Sequence, residues 1–277
     1  EREVEFIKDQ CEASFDADII EEIEEQIAIL EQKARLTCDA LSFEDKVMES
    51  MPDNPCSIYI SIPFCPSKCH YCSFVSCTTP RLLSLIPDYL LKLKKELELI
   101  SQTVKQNNLN VVSIYVGGGT PAILTEVQIE FLLKVIRENF NLTHHTEISF
   151  EAGRPDCITI SKLAVLKDYG VNRISINTQS TNDDVLIHVG RNHTYAQFIF
   201  AFENARKVGF DSINTDLIAG LPGESVSSFK QSVDDLCSLS PENVTIHAFT
   251  LKKASEYRDN DVRSFQVTGN DAQSMID

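Results

Sequence analysis

The sequence lacks the features that mark several large classes of protein. It has no long uninterrupted apolar run, so no transmembrane helix is expected. It opens Glu1-Arg2-Glu3 with no apolar stretch behind, which is not the build of a secretory signal and points to a cytoplasmic setting. It has no basic block either: 41 Asp and Glu against 25 Lys and Arg leave a formal charge of −16. Duplex binding needs cations to replace phosphate counterions, so nucleic acid is excluded as an expected partner. Neither GxGxxG nor GxxxxGK[ST] occurs, which removes the usual phosphate cradles. No initiator Met is present, and a longer chain is expected around these residues.

What is present is the composition of an ordinary globular protein, 43% hydrophobic and 24% charged, in a chain long enough for one large domain or two small ones. The acidity is concentrated at one end, with 16 Asp and Glu against 5 Lys and Arg in residues 1–50. Nine cysteines without an export signal indicate a reducing compartment. Three of them form a tight group; Cys11, Cys38, Cys157 and Cys237 are scattered and are expected to be buried thiols.

Residues 1–50 read as helical, with Ile19, Ile23, Ile27, Leu30 and Ala34 on one face and Asp18 with Glu21 as a capping box. Pro52-Asp53-Asn54-Pro55 marks a boundary. The expected organisation is an N-terminal helical segment, 1–51, a core, 52–255, and the start of a further region, 256–277. In the core, β-branched runs at 57–62, 111–116, 147–150, 172–177, 212–218 and 243–249 alternate with amphipathic stretches at 82–104, 126–140, 158–169, 195–208 and 225–236. Repeated strand–helix units imply a parallel sheet with right-handed crossovers, either open or barrel-like. The residues that close the strands favour the barrel: a cysteine group, a glycine turn, Glu151, Gln179, Asp216 and His247. In a barrel the carboxyl ends of all strands converge on one mouth, whereas an open sheet gathers function at its switch point. The predicted fold class is α/β, a partial (β/α)6 TIM-like barrel with an N-terminal helical segment.

The group Cys65-Pro-Ser-Lys-Cys69-His-Tyr-Cys72 places three thiolates within eight residues, enough to wrap one soft metal centre. Structural zinc takes four ligands, commonly in two pairs, and no second pair follows here; a zinc site would have to be completed by His70, Cys56 or Cys77. Three ligands on a cubane of four irons leave one iron open to a small molecule. Beyond it, Gly117-Gly118-Gly119-Thr120-Pro121 joins a strand to a helix as a tight turn. Glu151 is either paired to a neighbour or turned to a ligand amine or hydroxyl. Gln179 and Asp216 end strands in the same way. Arg191 carries a fork suited to a carboxylate or to a surface ion pair. His247 is either a proton carrier or a hydrogen-bonded core residue.

In order, YISIPFCPSKCHYCSF, YVGGGTPAIL, ISFEAGRPD, RISINTQSTNDD, HVGRNHT and INTDLIAGLPGES resemble the radical S-adenosylmethionine superfamily, and within it the oxygen-independent coproporphyrinogen III oxidase group. EAGRPD is most similar to the coproporphyrinogen dehydrogenase-like HemZ branch. The resemblance implies a [4Fe–4S] cluster on Cys65, Cys69 and Cys72 and one or two S-adenosylmethionine molecules. It implies cofactor contacts from Tyr59, Tyr71, Gly118, Gly119, Thr120, Glu151, Gln179, Arg191 and Asp216, with Thr250 a weaker one. It implies heme biosynthesis: oxidative decarboxylation of coproporphyrinogen III propionates to vinyls, by a radical that takes hydrogen from the side chain after a reduced cluster cleaves the cofactor. A reducing donor such as flavodoxin or ferredoxin would act as partner. Arg154 and Arg173 are candidate cations for the propionates, Arg173 being expected as a structural charge at the far face. No catalytic residue is assigned.

The sequence departs from the oxidase pattern in two places. Residues 1–50 hold no recognisable equivalent of the N-terminal segment with which that branch helps bind substrate. Phe74 stands where that branch carries a fourth cysteine, two residues after the third, as heme-chaperone relatives also lack it. A heme-binding chaperone on the same fold, and a radical enzyme acting on heme itself, are the alternative readings.

Overall fold

The computed structural model describes residues 17–74, 76–250, 255, 274 and 275, with side chains described from residue 27 onward. The expected further region at 256–277 lies almost entirely outside them. The chain divides into two units between Asp53 and Asn54. The first holds one long helix, α1, Ala17–Ser50. Asp18 and Glu21 fall within α1; their side chains, and with them the expected capping box, lie outside the described residues. Leu30, Leu36, Leu41 and Phe43 along it are exposed.

The second unit is a single sheet of six parallel strands in the order β1 to β6. The strands are β1, Pro55–Ile62; β2, Asn110–Gly118; β3, Glu147–Gly153; β4, Arg173–Ile176; β5, Ile213–Ala219; and β6, Asn243–Ala248. Between them lie α2, Pro80–Leu83, and α3, Ile86–Gln106; then α4, Glu126–Asn139; α5, Ile160–Asp168; α6, Asp183–His188, and α7, Tyr195–Val208; and α8, Val226–Leu239. Strands β1 and β6 do not pair, yet residues of both line one cavity, so the sheet curls into a half-barrel.

Period-two alternation sorts each strand. Ile58, Ile60 and Ile62 of β1, Ile148 and Phe150 of β3, Ile174 and Ile176 of β4, and Ile213 and Leu217 of β5 all pack in the core shared with the helices. The alternate positions, among them Tyr59, Glu151, Ser175, Asn214 and Asp216, face a cavity inside the barrel. A closed eight-stranded barrel fills its interior with layers of branched side chains; this one keeps its apolar core outside the sheet and leaves the inside polar and hollow.

The helix ends follow local chemistry. Thr125 and Thr194 form complete capping boxes with Gln128 and Gln197, and Gly209 closes α7 at φ 97°. Helix α6 is absent from the sequence expectation because its six residues are too few to show a period; Asn182, which accepts from the Asp184 and Val185 N–H groups, was its signal. The expectation for the scattered cysteines fails at two positions. Cys38 and Cys237 are exposed and Cys157 is half-buried, because Cys38 and Cys237 fall on solvent faces of their helices; Cys11 lies outside the described residues. Among those residues no helix is long and apolar enough to cross a membrane.

Candidate functional site

The carboxyl ends of the strands enclose a cavity of about 650 Å3. Cys65, Cys69 and Cys72 line it, and so do Tyr59, Tyr71, Gly118, Gly119, Thr120, Glu151, Gln179, Arg191, Asp216 and Thr250. Residues spread over nearly two hundred positions are therefore brought to one wall or another of a single hollow, by six strands ending at the same rim.

The cysteine loop leaves β1 and is stitched in place by backbone. Cys65 N–H donates to Cys77 O at 3.2 Å, Cys77 N–H to Pro63 O at 2.7 Å, and Cys72 N–H to Cys69 O at 3.0 Å. His70 anchors the middle: its N–H donates to Val189 O at 3.0 Å, its Nδ1 lies 3.0 Å from His188 O, and its carbonyl accepts from Ser255 Oγ at 3.0 Å. The glycine turn of β2 meets this loop. Gly119 and Thr120 donate to Ile62 O and Phe64 O, each at 2.8 Å, and Thr120 Oγ1 lies 3.5 Å from Cys65 Sγ. Gly118 has φ 106°, a conformation that only glycine adopts without strain.

The donor set fits an iron–sulfur cluster. Three thiols share one wall, and buried hydrogen-bond donors reach their sulfurs. Burial pushes the Cys65 and Cys72 thiols up, and the neighbouring thiols add to it; their thiolate forms need the positive charge that bound iron brings. Among the described residues no three His, Cys, Asp or Glu groups gather closely enough to grip a single ion. Of the residues that would complete a zinc site, Cys56 sits at the amino end of β1, the opposite end from the loop, and His70 uses Nδ1 at His188 O. Cys77 pairs by backbone with the residues that precede the loop.

The rest of the cavity fits a ligand with amine and hydroxyl donors. Asn177 Oδ1 and Gln179 Oε1 are buried without a hydrogen-bond partner among protein groups, acceptors that a ligand would satisfy. Gln179 is held at φ 75° by a bridge to β5, with its N–H on Asp216 O at 2.9 Å and its carbonyl accepting from Ile218 N–H at 3.0 Å; a strained non-glycine residue of this kind is often part of a binding site. Burial, followed by the charge of Asp216, pushes the Glu151 carboxyl up to about 7, and a cationic ligand beside it would favour its ionised form. Tyr59, 62% exposed, stacks on Tyr115 with ring centroids 5.9 Å apart.

Arg191 is more committed than its sequence reading implied. It is 6% exposed, and its Nη2 donates to Asn177 O at 2.6 Å and Gly153 O at 3.0 Å while Nη1 donates to Tyr71 OH at 3.2 Å. It ties the cysteine loop to the ends of β3 and β4, and its Nε lies 3.5 Å from His193 Nδ1. Arg154 does not face out of the mouth: it is 3% exposed and turned to the cysteine loop. Arg173 pairs with Glu147 at 3.7 Å at the amino end of its strand, yet its side chain lines the cavity, a departure from the purely structural far-face charge expected. His247 Nε2 lies 3.7 Å from Asp216 Oδ2. Asn214, which the sequence reading missed, joins Ser175, Asp216 and Thr245 in one hydrogen-bonded set. Tyr115, Asn177 and Thr245 were also missed. Each stands two residues from a recognised residue on its strand or at its end, so the alternation rule would have found it.

Glu224 lies just before α8, nearly fully buried. Ser180 Oγ donates to its Oε1 at 2.6 Å, and Oε2 has no protein partner. Burial pushes this carboxyl up from 4.5 to about 7. The folded state then binds more protons than the unfolded one between those pH values, so stability falls as pH rises through that window and stays low above it. Glu224→Gln should remove this slope and gain on the order of 1–3 kcal/mol at pH 8, read by urea unfolding at pH 5 and pH 8. An unchanged slope would sink the assignment.

The relatives agree with this geometry. The radical SAM superfamily matches residues 59–236. The oxygen-independent coproporphyrinogen-III oxidase-like protein HemZ of Bacillus subtilis is 38% identical over 84% of this chain and 47% of its own. The heme chaperone HemW of Bacillus subtilis is 34% identical over 71% of this chain and 51% of its own. The solved structure of coproporphyrinogen III oxidase (HemN) from Escherichia coli, a radical SAM enzyme, superposes with a TM-score of 0.71 at 28% identity, over 82% of this chain and 51% of that one. The chain spans about half the length of the curated relatives it matches. Radical SAM proteins carry a [4Fe–4S] cluster and S-adenosylmethionine, the pair whose chemistry the thiol wall and the acceptor-lined hollow suit. With its cysteine loop, its curled six-stranded sheet and a family match over most of its length, this chain belongs to the radical SAM superfamily.

Proposed function

We propose that this chain, residues 52–255 above all, is the radical-generating core of an oxygen-independent coproporphyrinogen III oxidase or dehydrogenase. The observation that carries the reaction type is the single cavity that joins the three cysteines to ten further residues of the expected cofactor set. The similarity to HemZ over 84% of the chain supports the substrate class. Cys65, Cys69 and Cys72 hold the cluster. Glu151, Gln179 and Asn177 accept hydrogen bonds from the amine and hydroxyls of S-adenosylmethionine, the Gly118–Gly119 backbone leaves room for its amino-acid end, and Asp216, Tyr59, Tyr71 and Thr250 line the remainder. When bound, this pair supplies a radical that abstracts hydrogen from a propionate. Each of two propionates then loses carbon dioxide and passes one electron to an external one-electron acceptor, leaving a vinyl group. Tyr115, Asn214, Thr245 and His247, which line the same cavity, meet polar atoms of the substrate. A flavodoxin or ferredoxin in the cytoplasm delivers the electron.

The heme-chaperone reading has support of its own, from 34% identity to HemW and from Phe74, 66% exposed, at the position of the oxidases' fourth cysteine. One anaerobic experiment separates the two. The reconstituted full-length protein is assayed for 5′-deoxyadenosine release with and without coproporphyrinogen III, and for heme binding. Release stimulated by substrate together with vinyl product supports the oxidase. Stoichiometric heme binding with no turnover overturns it in favour of the chaperone, and altered heme would point to an enzyme acting on heme.

A further inference from the structure

The sequence of β3 ends in a bulge: its pairing with β4 shifts register between Glu151 and Gly153, and Gly153 has φ 67°. Bulges re-aim the side chains that follow them. Here Arg154 is turned away from the mouth and under the cysteine loop. The residue is 3% exposed, and Nη1 lies 3.5 Å from Cys69 Sγ. Nη2 donates to Ser67 Oγ at 3.1 Å, and Nε pairs with Asp156 Oδ1 at 3.2 Å.

We propose that Arg154 tunes the cluster, donating an N–H···S hydrogen bond to Cys69 and raising its reduction potential, a role that rests on Cys65, Cys69 and Cys72 being the ligands. Reduction adds negative charge to the cluster. A buried cation bonded to a ligand sulfur favours that reduced form, because hydrogen bonds to the sulfurs and local net charge set such potentials. Asp156 acts in the opposite direction: its carboxylate, partly exposed beside the guanidinium, offsets part of the arginine's field. Ser67 is also held by Asn192 Nδ2 at 3.4 Å, and the loop by the backbone bonds of Cys65, His70 and Cys72, so the loop retains anchors when Arg154 is replaced. Arg154 is thus a positioning and tuning residue, not a catalytic one.

The test is an anaerobic redox titration of the reconstituted protein followed by electron paramagnetic resonance. Arg154→Gln should move the cluster midpoint to more negative potential, Arg154→Lys should fall between it and the wild type, and Asp156→Asn should move it to more positive potential. A purely structural role would not produce shifts of opposite sign. Potentials of Arg154→Gln and Asp156→Asn that match the wild type, or that move in the same direction, overturn the proposal. If Arg154→Gln takes up no cluster, the sign for Asp156→Asn decides. A wild type that takes up no cluster sinks the ligand assignment and this proposal together, whereas a wild-type cluster with unmoved variant potentials sinks this proposal alone.

Discussion

Cys69→Ala, like Cys65→Ala and Cys72→Ala, is expected to give a folded but colourless protein. Bound iron should fall from about four atoms per chain to near zero after anaerobic reconstitution, and 5′-deoxyadenosine release should fall to background with it. The effect is large because a cubane held by three thiolates has none in reserve. The fold should survive, because the loop is tied down by backbone rather than by the sulfurs: Cys65 N–H to Cys77 O, His70 N–H to Val189 O and Thr120 N–H to Phe64 O. Circular dichroism close to wild type alongside absent iron, sulfide and visible absorbance is the expected combination. A variant that keeps a full cluster refutes the ligand assignment at that position.

Gly119→Ala should be nearly as damaging for a different reason. A Cβ on Gly119 would lie 2.7 Å from Phe64 O, 2.8 Å from Cys65 Sγ and 3.0 Å from Ile62 O. Two of these atoms are backbone and cannot swing aside, so either the turn or the cysteine loop must move. Overpacking of this kind costs about 1–3 kcal/mol, at about 2–4 °C in Tm per kcal/mol for a chain of this size, and the displaced Cys65 should lower cluster occupancy as well. Gly153→Ala is the control. There φ is 67° but the nearest contact of the added carbon is Glu151 O at 3.9 Å, so only backbone strain of about 1–2 kcal/mol is incurred. Thermal melts of the apo-proteins together with iron content separate the two. Equal iron in both variants would show that Gly119 does not shape the cluster loop.

Much of this could be read in the chain itself. The six strands appear at their expected places because apolar residues alternate along them, as Ile58, Ile60 and Ile62 do in β1. The three cysteines proposed as cluster ligands stood out because their spacing is local, within one loop. Glu151 and Asp216 stood out as acids ending apolar strands, and both reach the cavity. The inward-facing Tyr115, Asn214 and Thr245 were passed over, since polar and aromatic residues inside a strand look unremarkable until the inside is known to be hollow. The two exposed cysteines, Cys38 and Cys237, show the limit of burial statistics: residue type sets a tendency, and the helix face on which a residue falls decides its fate.

By itself the sequence determined the strand–helix alternation, the close spacing of the three cysteines and the glycine turn, all consequences of short-range spacing, periodicity and backbone freedom. The tertiary structure decided what those parts face. It turned Arg154 from a candidate for the mouth into a cation against Cys69, because a bulge in β3 re-aims the residue after it. It set Arg191 to tie Tyr71 to Gly153 and Asn177, partners up to 120 positions away. It also left Glu224 buried with one unpaired oxygen. Direction, burial and long-range partnership arise only when curled parallel strands bring distant rims together, and no local pattern encodes them.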